Sequence, residues 1–357
     1  MYDFIFNKKK PKVRKDAPLM IDLFSGGGGV KTGAISAGFI SIGVEKDPNN
    51  PELSKIFSNW HDVNFAEYGS KTYLETVQEM CLKGWQGLPR NTLIAHASPV
   101  CSHFCGYRAV NRAKEDAKDI TSAKAVADAI AVLDAQYWTI EQVTEYVQSE
   151  SFKIICTALW ENGYSFILEP KIDFYEWGVI PQNRKRMFLL AWKRDRKPLE
   201  FPPKLKPWGW GKCLGSLNLV PDTPLDWQEK AISQFNKPYT AFAVQRVGRF
   251  RDRDGDYRPP KMRSGDEPIW TITKHAFHNS PKTTAGIDRH NPFNIYIPGK
   301  GWFYPHPRAI ARIAGFPDWF RFSPKPYYYG SVFGYSVPPS WIYRLLSHNF
   351  IDYTKEI

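Results

Sequence analysis

The sequence predicts an α/β fold built on a doubly wound, mainly parallel sheet, with a smaller, irregular β-rich unit beside it. Three observations lead there. Short apolar runs recur at 19–24 (LMIDLF), 40–45 (ISIGVE), 92–98 (TLIAHAS) and 137–143 (YWTIEQV). Unbroken apolar runs of this length suit parallel strands buried on both faces. Helical patterns alternate with them, which implies a parallel sheet. Past residue 194 the texture breaks, and the stretch KRDRKPLEFPPKLKPWGWG is dense in Pro, Lys, Arg and Trp without a period.

In chain order, residues 1–17 are polar and basic around Lys8, Lys9, Lys10, Lys12, Arg14 and Lys15. A flexible arm is expected there. The first strand ends in the glycine turn SGGGG, and a helix runs from it to Phe39. In 123–134, Val126, Ile130 and Leu133 recur at helical spacing, so this segment is an amphipathic helix. Strands at 165–169 and 187–192 flank a polar connection, which completes one α/β unit over 18–193. Residues 194–300 are expected to form a separate basic domain, densest in charge at RVGRFRDRDGDYRPPKMRSGD. Helices near 308–314 and 341–348 bring the last segment, 301–357, back to the first unit. No internal repeat is present.

Composition narrows the function classes. The net charge of +12 argues for a polyanionic partner, and the 15% aromatic content suits stacking as well as core. No apolar run reaches the length of a transmembrane helix. The start MYDFIFNKKK has its apolar and basic parts in the wrong order for a signal peptide. The five cysteines, Cys81, Cys101, Cys105, Cys156 and Cys213, form no paired framework, which suggests a reducing, cytoplasmic setting.

Four turns carry candidate chemistry. The glycine turn Phe24-Ser25-Gly26-Gly27-Gly28-Gly29 lies at a strand's carboxyl end, where α/β sheets bind nucleotides. It lacks the Lys-Ser/Thr of a triphosphate loop, so a nucleoside without a polyphosphate fits better. Glu45, at the end of the next strand, is placed to bond ribose hydroxyls. Asp62, at the expected end of a third short segment, is a candidate for an adenine amino group. Cys101 follows another strand, on the turn Ser98-Pro99-Val100-Cys101-Ser102. An exposed cysteine on such a turn suits a nucleophile. Two other readings stand beside it: a buried structural thiol, and a metal site from Cys101, His103 and Cys105. That spacing is not Cys-x-x-Cys and has no second ligand pair. Glu141 ends the 137–143 strand, with a surface acid as its bland alternative. Gln182, Arg184 and Arg186 alternate in a stretch that leads into a strand, so they point to one side if it is extended.

Taken in order, these pieces resemble the DNA cytosine-5 methyltransferases over nearly the whole chain. The family's Phe-x-Gly-x-Gly turn is Phe24, Gly26 and Gly28, and its ribose acid is Glu45. Val100-Cys101-Ser102 stands for Pro-Cys-Gln, and Glu141-Gln142-Val143 for Glu-Asn-Val. Gln182, Arg184 and Arg186 match Gln-x-Arg-x-Arg. The stretch 308–317 (RAIARIAGFP) matches the motif after the recognition domain, and Gly334-Tyr335-Ser336-Val337-Pro338 the closing Gly-Asn-Ser-Val-Pro.

The resemblance implies a Rossmann-like class I fold that binds S-adenosylmethionine, releases S-adenosylhomocysteine and uses no metal. It implies a Cys101 nucleophile acting at carbon 6 of a cytosine flipped out of double-stranded DNA. Glu141 would hold ring nitrogen 3, and Arg184 and Arg186 the base's carbonyl oxygen. Phe24, Gly26, Gly28, Glu45, Asp62, Val100, Tyr335 and Ser336 would line the cofactor, while Ser102 and Gln182 would face DNA. The polar, basic stretch after Cys101 resembles the family's mobile loop. The 194–300 domain would read the major groove, with Arg246, Arg249, Arg251 and Arg253 as phosphate or guanine contacts. One flipped base needs one site, so a monomer is expected. Val100, Ser102 and Tyr335 depart from the family pattern. They keep three further readings open: a catalytically impaired DNA-binding regulator, an RNA cytosine-5 methyltransferase, and a modifier using an altered sulfonium donor.

Overall fold

The computed structural model describes residues 1–100, 104, 115–224, 226–233, 241–245, 262–272, 293–322 and 329–350. Its centre is a seven-stranded sheet in the order β3-β2-β1-β4-β5-β7-β6. Strand β1 (Leu19–Leu23) pairs in parallel with β2 (Ile40–Val44) and β4 (Ile94–Ala97). Strand β3 (Thr72–Tyr73) and β5 (Tyr137–Gln142) extend the parallel set on either side. The last two strands, β6 (Tyr164–Asp173) and β7 (Lys185–Lys193), run antiparallel, so the sheet is mainly and not wholly parallel.

Alternate side chains divide between two covered faces. Ile21 and Leu23 pack with Val126, Ile130 and Leu133 of α5 (Ala117–Leu133) and with Ile155 of α6 (Glu150–Glu161). Met20 packs on the other face with Val30 and Ala34 of α2 (Gly29–Ser36) and Leu345 of α10 (Pro339–Asn349). Full burial of each such side chain favours folding by about 1.5–3 kcal/mol. Glycine lets α10 and α2 meet closely: a Cβ on Gly33 would lie 2.6 Å from Ile342 Cβ and the Pro339 carbonyl.

A second sheet, in the order β11-β10-β8-β9, is antiparallel and small. Its strands are β8 (Phe242–Gln245), β9 (Met262–Ser264), β10 (Phe293–Ile297) and β11 (Gly301–Phe303). Two expectations about this region change. The boundary expected at residue 300 cuts a strand pair, since Ile297 pairs with Gly301. Nor does the unit keep a core of its own. Ile269, Phe293 and Ile295 share one cluster with Leu53 and Phe57 of α3 (Pro51–Phe65) and with Ile310 of α8 (Pro307–Ile313). The stretch after residue 194 also belongs to the first unit: Leu199 is buried against it, and the Leu205 N–H donates to the Trp177 carbonyl.

The expected flexible arm is docked at its start. Tyr2–Ile5 forms a short helix, α1, in which Ile5 is fully buried and Phe4 stacks on Tyr343 at 4.7 Å. The Ile5 and Asn7 carbonyls accept from the Asp318 and Trp319 N–H groups. Apolar burial and paired backbone hold this stretch down.

The strand order reverses between β1 and β4. Chain direction leaves β1 toward β2 and β3, then returns to β4 and β5. Ligands of open α/β sheets bind at the carboxyl ends beside such a switch. In register, Leu23 pairs with Ala97 and Ala97 with Ile140. The glycine turn, the turn that leads to Cys101, and Glu141 therefore leave the sheet side by side.

Candidate active site

The glycine turn is bent sharply. Phe24 (φ 63), Gly26 (φ 49) and Gly28 (φ 86) all lie in the left-handed region, where a non-glycine residue such as Phe24 is strained. The Gly26 N–H donates to Glu45 Oε2 at 2.7 Å, and the Ser25 N–H to the Val44 carbonyl at 3.1 Å. A Cβ on Gly26 would meet only the Phe24 carbonyl oxygen, at 3.9 Å. Space over Gly26, flanked by a carboxylate, fits a nucleoside whose ribose hydroxyls donate to Glu45. Gly28 is different: its free side is filled by the Phe65 ring, 2.8 Å from where a Cβ would stand. Burial pushes the Glu45 carboxyl up to about 7, although the Gly26 N–H favours its ionised form.

Asp62 is not at a strand end. It lies exposed within α3, and the third strand is β3, ten residues further on. Its neighbour His61 is among the side chains that α3 turns inward. Beneath the turn, Lys31 and Asp22 are both fully buried. Burial raises the Asp22 carboxyl and lowers the Lys31 ammonium, each toward its neutral form, while their attraction opposes this.

The second turn leaves β4 through Ser98, Pro99 and Val100, and Val100 is 39% exposed. Below it His96 is buried, with Nδ1 2.8 Å from Thr139 Oγ1 and Nε2 2.8 Å from Ser98 Oγ. Burial lowers its pKa to about 3, so it is neutral. Gln142 donates from Nε2 to the Pro99 carbonyl at 2.5 Å and so fixes the backbone two residues before Cys101. Cys101 and Ser102 lie outside the described residues, as do Arg246, Arg249, Arg251 and Arg253. Phe104 meets the Tyr146 ring edge-on at 5.4 Å.

Glu141 and Arg186 form the third part. They pair at 2.9 Å (Glu141 Oε1 to Arg186 Nε), and both are largely buried. Gln182, Arg184 and Arg186 each have their own partner, which corrects two expectations. Arg184 does not lie open to a base: its guanidinium donates to the carbonyls of Gly334 (2.9 Å), Tyr335 (3.5 Å) and Ser336 (3.1 Å). It pins the loop after α9 (Tyr329–Tyr335), and that loop leans on the glycine turn through Gly29, Ser336 and Val337. Gln182, expected to face DNA, is 1% exposed. Its Oε1 accepts from the Ile272 N–H at 2.9 Å, and its backbone bridges Ile269 in parallel, so it ties the stretch leading into β7 to the segment after β9. Tyr335 stands 53% exposed on its pinned backbone.

Arg184→Ala is expected to lower folding stability by on the order of 3 kcal/mol, the loss of charge-assisted bonds to buried carbonyls. Urea denaturation measures it; an unchanged midpoint would show that the loop does not depend on Arg184.

Gln142, His61, Lys31 and His96 escape sequence reasoning. Gln142 sits inside a recognisable motif, and its position beside Glu141 was the available signal. The other three carry no local pattern, because Gly26, Thr72 and Thr139, which they bond, lie far from them in sequence.

Comparison with known proteins gives a consistent answer. The family model described as C-5 cytosine-specific DNA methylase matches residues 19–349. The type II methyltransferase M.XorII of Xanthomonas oryzae pv. oryzae is 25% identical over 367 aligned residues, 90% of this chain and 82% of that protein. Two solved structures resemble the fold. One is the Entamoeba histolytica methyltransferase EhMeth, with a TM-score of 0.61 at 18% identity, covering 94% of this chain and 99% of that one. The other is the S. pombe Dnmt2 methyltransferase, with a TM-score of 0.57 at 15% identity, covering 93% and 99%.

Proposed function

The chain belongs to the C-5 cytosine-specific DNA methylase family, and from that premise we propose that it methylates carbon 5 of cytosine in duplex DNA through an adduct on Cys101. The observation that carries this reading is convergence on one sheet edge. The Gly26–Glu45 cradle, the Pro99 turn and the Glu141–Arg186 pair leave adjacent strands in register.

S-adenosylmethionine, when bound, supplies an electrophilic methyl group. Gly26 and Glu45 would hold its nucleoside, with Phe24, Val100, Tyr335 and Ser336 around it. The Cys101 thiolate adds to carbon 6 of the cytosine, and the ring electrons move to carbon 5. Glu141 stabilises the adduct by holding a proton at ring nitrogen 3, and Arg186 orients that carboxyl. Carbon 5 would then take the methyl group that the bound cofactor supplies, with the thioether S-adenosylhomocysteine as the leaving group. A base removes the carbon-5 proton, the bond from sulfur to carbon 6 breaks, and Cys101 leaves as thiolate. Stacking and pairing shield the ring atoms of a cytosine in a duplex, so this reading has the base flipped out to be methylated. Arg246, which follows β8 directly in sequence, is proposed with Arg249 and Arg251 to contact DNA. No helix among the described residues is long and apolar enough to cross a membrane. Working as a monomer in the cytoplasm suits this reading.

The test is to incubate the protein with methyl-labelled S-adenosylmethionine and duplex DNA and to digest the product. 5-Methylcytosine is expected; its absence would sink the reading.

The Glu45 shift gives a pH prediction. Ribose hydroxyls donate to a carboxylate, so binding favours the ionised form, which prevails above about 7. S-adenosylhomocysteine affinity is expected to fall as pH drops from 8 to 5, by up to about tenfold per unit below the pKa. Calorimetry measures it, and Glu45→Gln should flatten the profile. A wild-type profile that is already flat over this range would count against Glu45.

A further inference from the structure

Both polar groups of Gly26 are held by side chains. Its N–H donates to Glu45, and its carbonyl accepts from His61 Nε2 at 2.9 Å. A carbonyl only accepts, so Nε2 carries the proton. His61 Nδ1 is then an acceptor, and it lies 3.0 Å from Thr72 Oγ1. Thr72 donates its only hydroxyl proton there and is left to accept. Lys31 Nζ, at 2.6 Å, supplies that donor, and it also donates to the Lys71 carbonyl at 3.0 Å. The chain Lys31, Thr72, His61, Gly26 therefore has one polarity from end to end. It ties the edge strand β3 to the glycine turn.

The imidazole is suited to this work only when neutral. His61 is 2% exposed, and burial together with the Lys31 ammonium lowers its pKa to about 3. Protonation would turn Nδ1 into a donor facing a hydroxyl already fed by Lys31. The ring is also fixed sideways by Phe65, whose edge meets it at 5.5 Å. Gly26 is thus clamped on two sides, and only the face over its Cα is open.

We infer that His61, aligned by Thr72 and Lys31, is a positioning residue for cofactor binding: it sets the Gly26 carbonyl and presents the cradle without touching the ligand. This rests on the reading that the glycine turn holds the nucleoside of S-adenosylmethionine. Preorganisation of this kind raises affinity by removing an ordering cost at binding.

Isosteric variants separate the two ends of the chain. In His61→Gln the amide nitrogen stands near the place of Nε2 and keeps the bond to Gly26. His61→Asn keeps the Thr72 side only, and His61→Phe keeps neither. The readouts are calorimetric affinity for S-adenosylhomocysteine, duplex DNA affinity by fluorescence anisotropy, and melting temperature. His61→Phe and His61→Asn are expected to weaken S-adenosylhomocysteine by about tenfold, the scale of one or two neutral hydrogen bonds. His61→Gln should recover to within about threefold of wild type. DNA affinity should not change. Thr72→Val, which alters a partly exposed edge position, should weaken the ligand in the same direction, and Thr72→Ser should restore it. In nitrogen-15 spectra of the folded wild type, His61 should remain the neutral Nε2–H tautomer down to pH 5. Equal ligand affinity in wild type, His61→Phe and Thr72→Val would overturn the inference, and so would an Nδ1–H tautomer. Wild-type protein that binds no S-adenosylhomocysteine would overturn the cofactor reading and this inference with it.

Discussion

Replacement of Cys101 by alanine is expected to lower methyl transfer to duplex DNA by at least about 10⁴-fold, the scale on which removal of a covalent nucleophile acts. Carbon 5 of cytosine has little nucleophilicity of its own. A sulfur bond at carbon 6 is what turns the ring into an enamine. Serine is a poor substitute, since its hydroxyl is far less acidic than a thiol. The turn that carries the cysteine is held from below by the Gln142–Pro99 bond, and Val100 faces solvent. The alanine variant should therefore keep its affinity for S-adenosylhomocysteine and for DNA. A trap makes the chemistry visible. In DNA carrying 5-fluorocytosine, the group on carbon 5 cannot leave as a proton, so the adduct persists. Wild-type protein should give a denaturation-resistant complex with such DNA, and Cys101→Ala should give none. Transfer undiminished in the variant would remove Cys101 from its role. Label on tRNA and not on duplex DNA would move the substrate to RNA.

The fold is legible where burial is two-sided. β1, β2, β4 and β5 read as apolar runs because α2 and α10 cover one face, and α5 and α6 the other. β3 is only two residues long, too short for any pattern, so Asp62 could not be told from a strand end. α1 is as hard to see: four residues make one turn, and the burial of Phe4 and Ile5 depends on partners such as Trp208 and Tyr343. The boundary near residue 300 misses because a Gly-Lys-Gly turn reads as a linker, whereas it closes the β10–β11 hairpin. In the candidate site, residue types and spacing point to Glu45, Glu141 and Arg186, and the structure gives these a partner on an adjoining turn or strand. Arg184 and Gln182 show the limit. What they bond is decided by the end of α9 and the residue after it, 334–336, and by Ile272, far along the chain. An arginine aimed at backbone carbonyls and one aimed at a carboxylate look the same in sequence.

Glu141→Gln is expected to reduce the rate constant for methyl transfer by about 10²–10⁴-fold, the range typical of a lost general acid, with little effect on S-adenosylhomocysteine affinity. The amide keeps the volume and one acceptor oxygen. Its N–H can donate a hydrogen bond to ring nitrogen 3 but cannot transfer a proton to it, and the amide no longer neutralises Arg186. Two consequences must be separated. Glu141 is 5% exposed and its pair with Arg186 is largely buried. Breaking such a pair from one side costs about 3–5 kcal/mol of stability, because a charge is left buried alone. The double variant Glu141→Gln with Arg186→Met removes both charges and should regain much of that stability, by the logic of a double-mutant cycle. It should regain none of the rate, since the proton holder is still missing. Arg186→Lys gives the complementary result. The charge remains, but the planar fork that orients the carboxyl is lost, so stability should suffer less than the rate. Single-turnover transfer and urea denaturation on the same preparations measure both quantities. If rate and stability return together in the double variant, the pair is a structural strut and Glu141 is not the group that holds the proton.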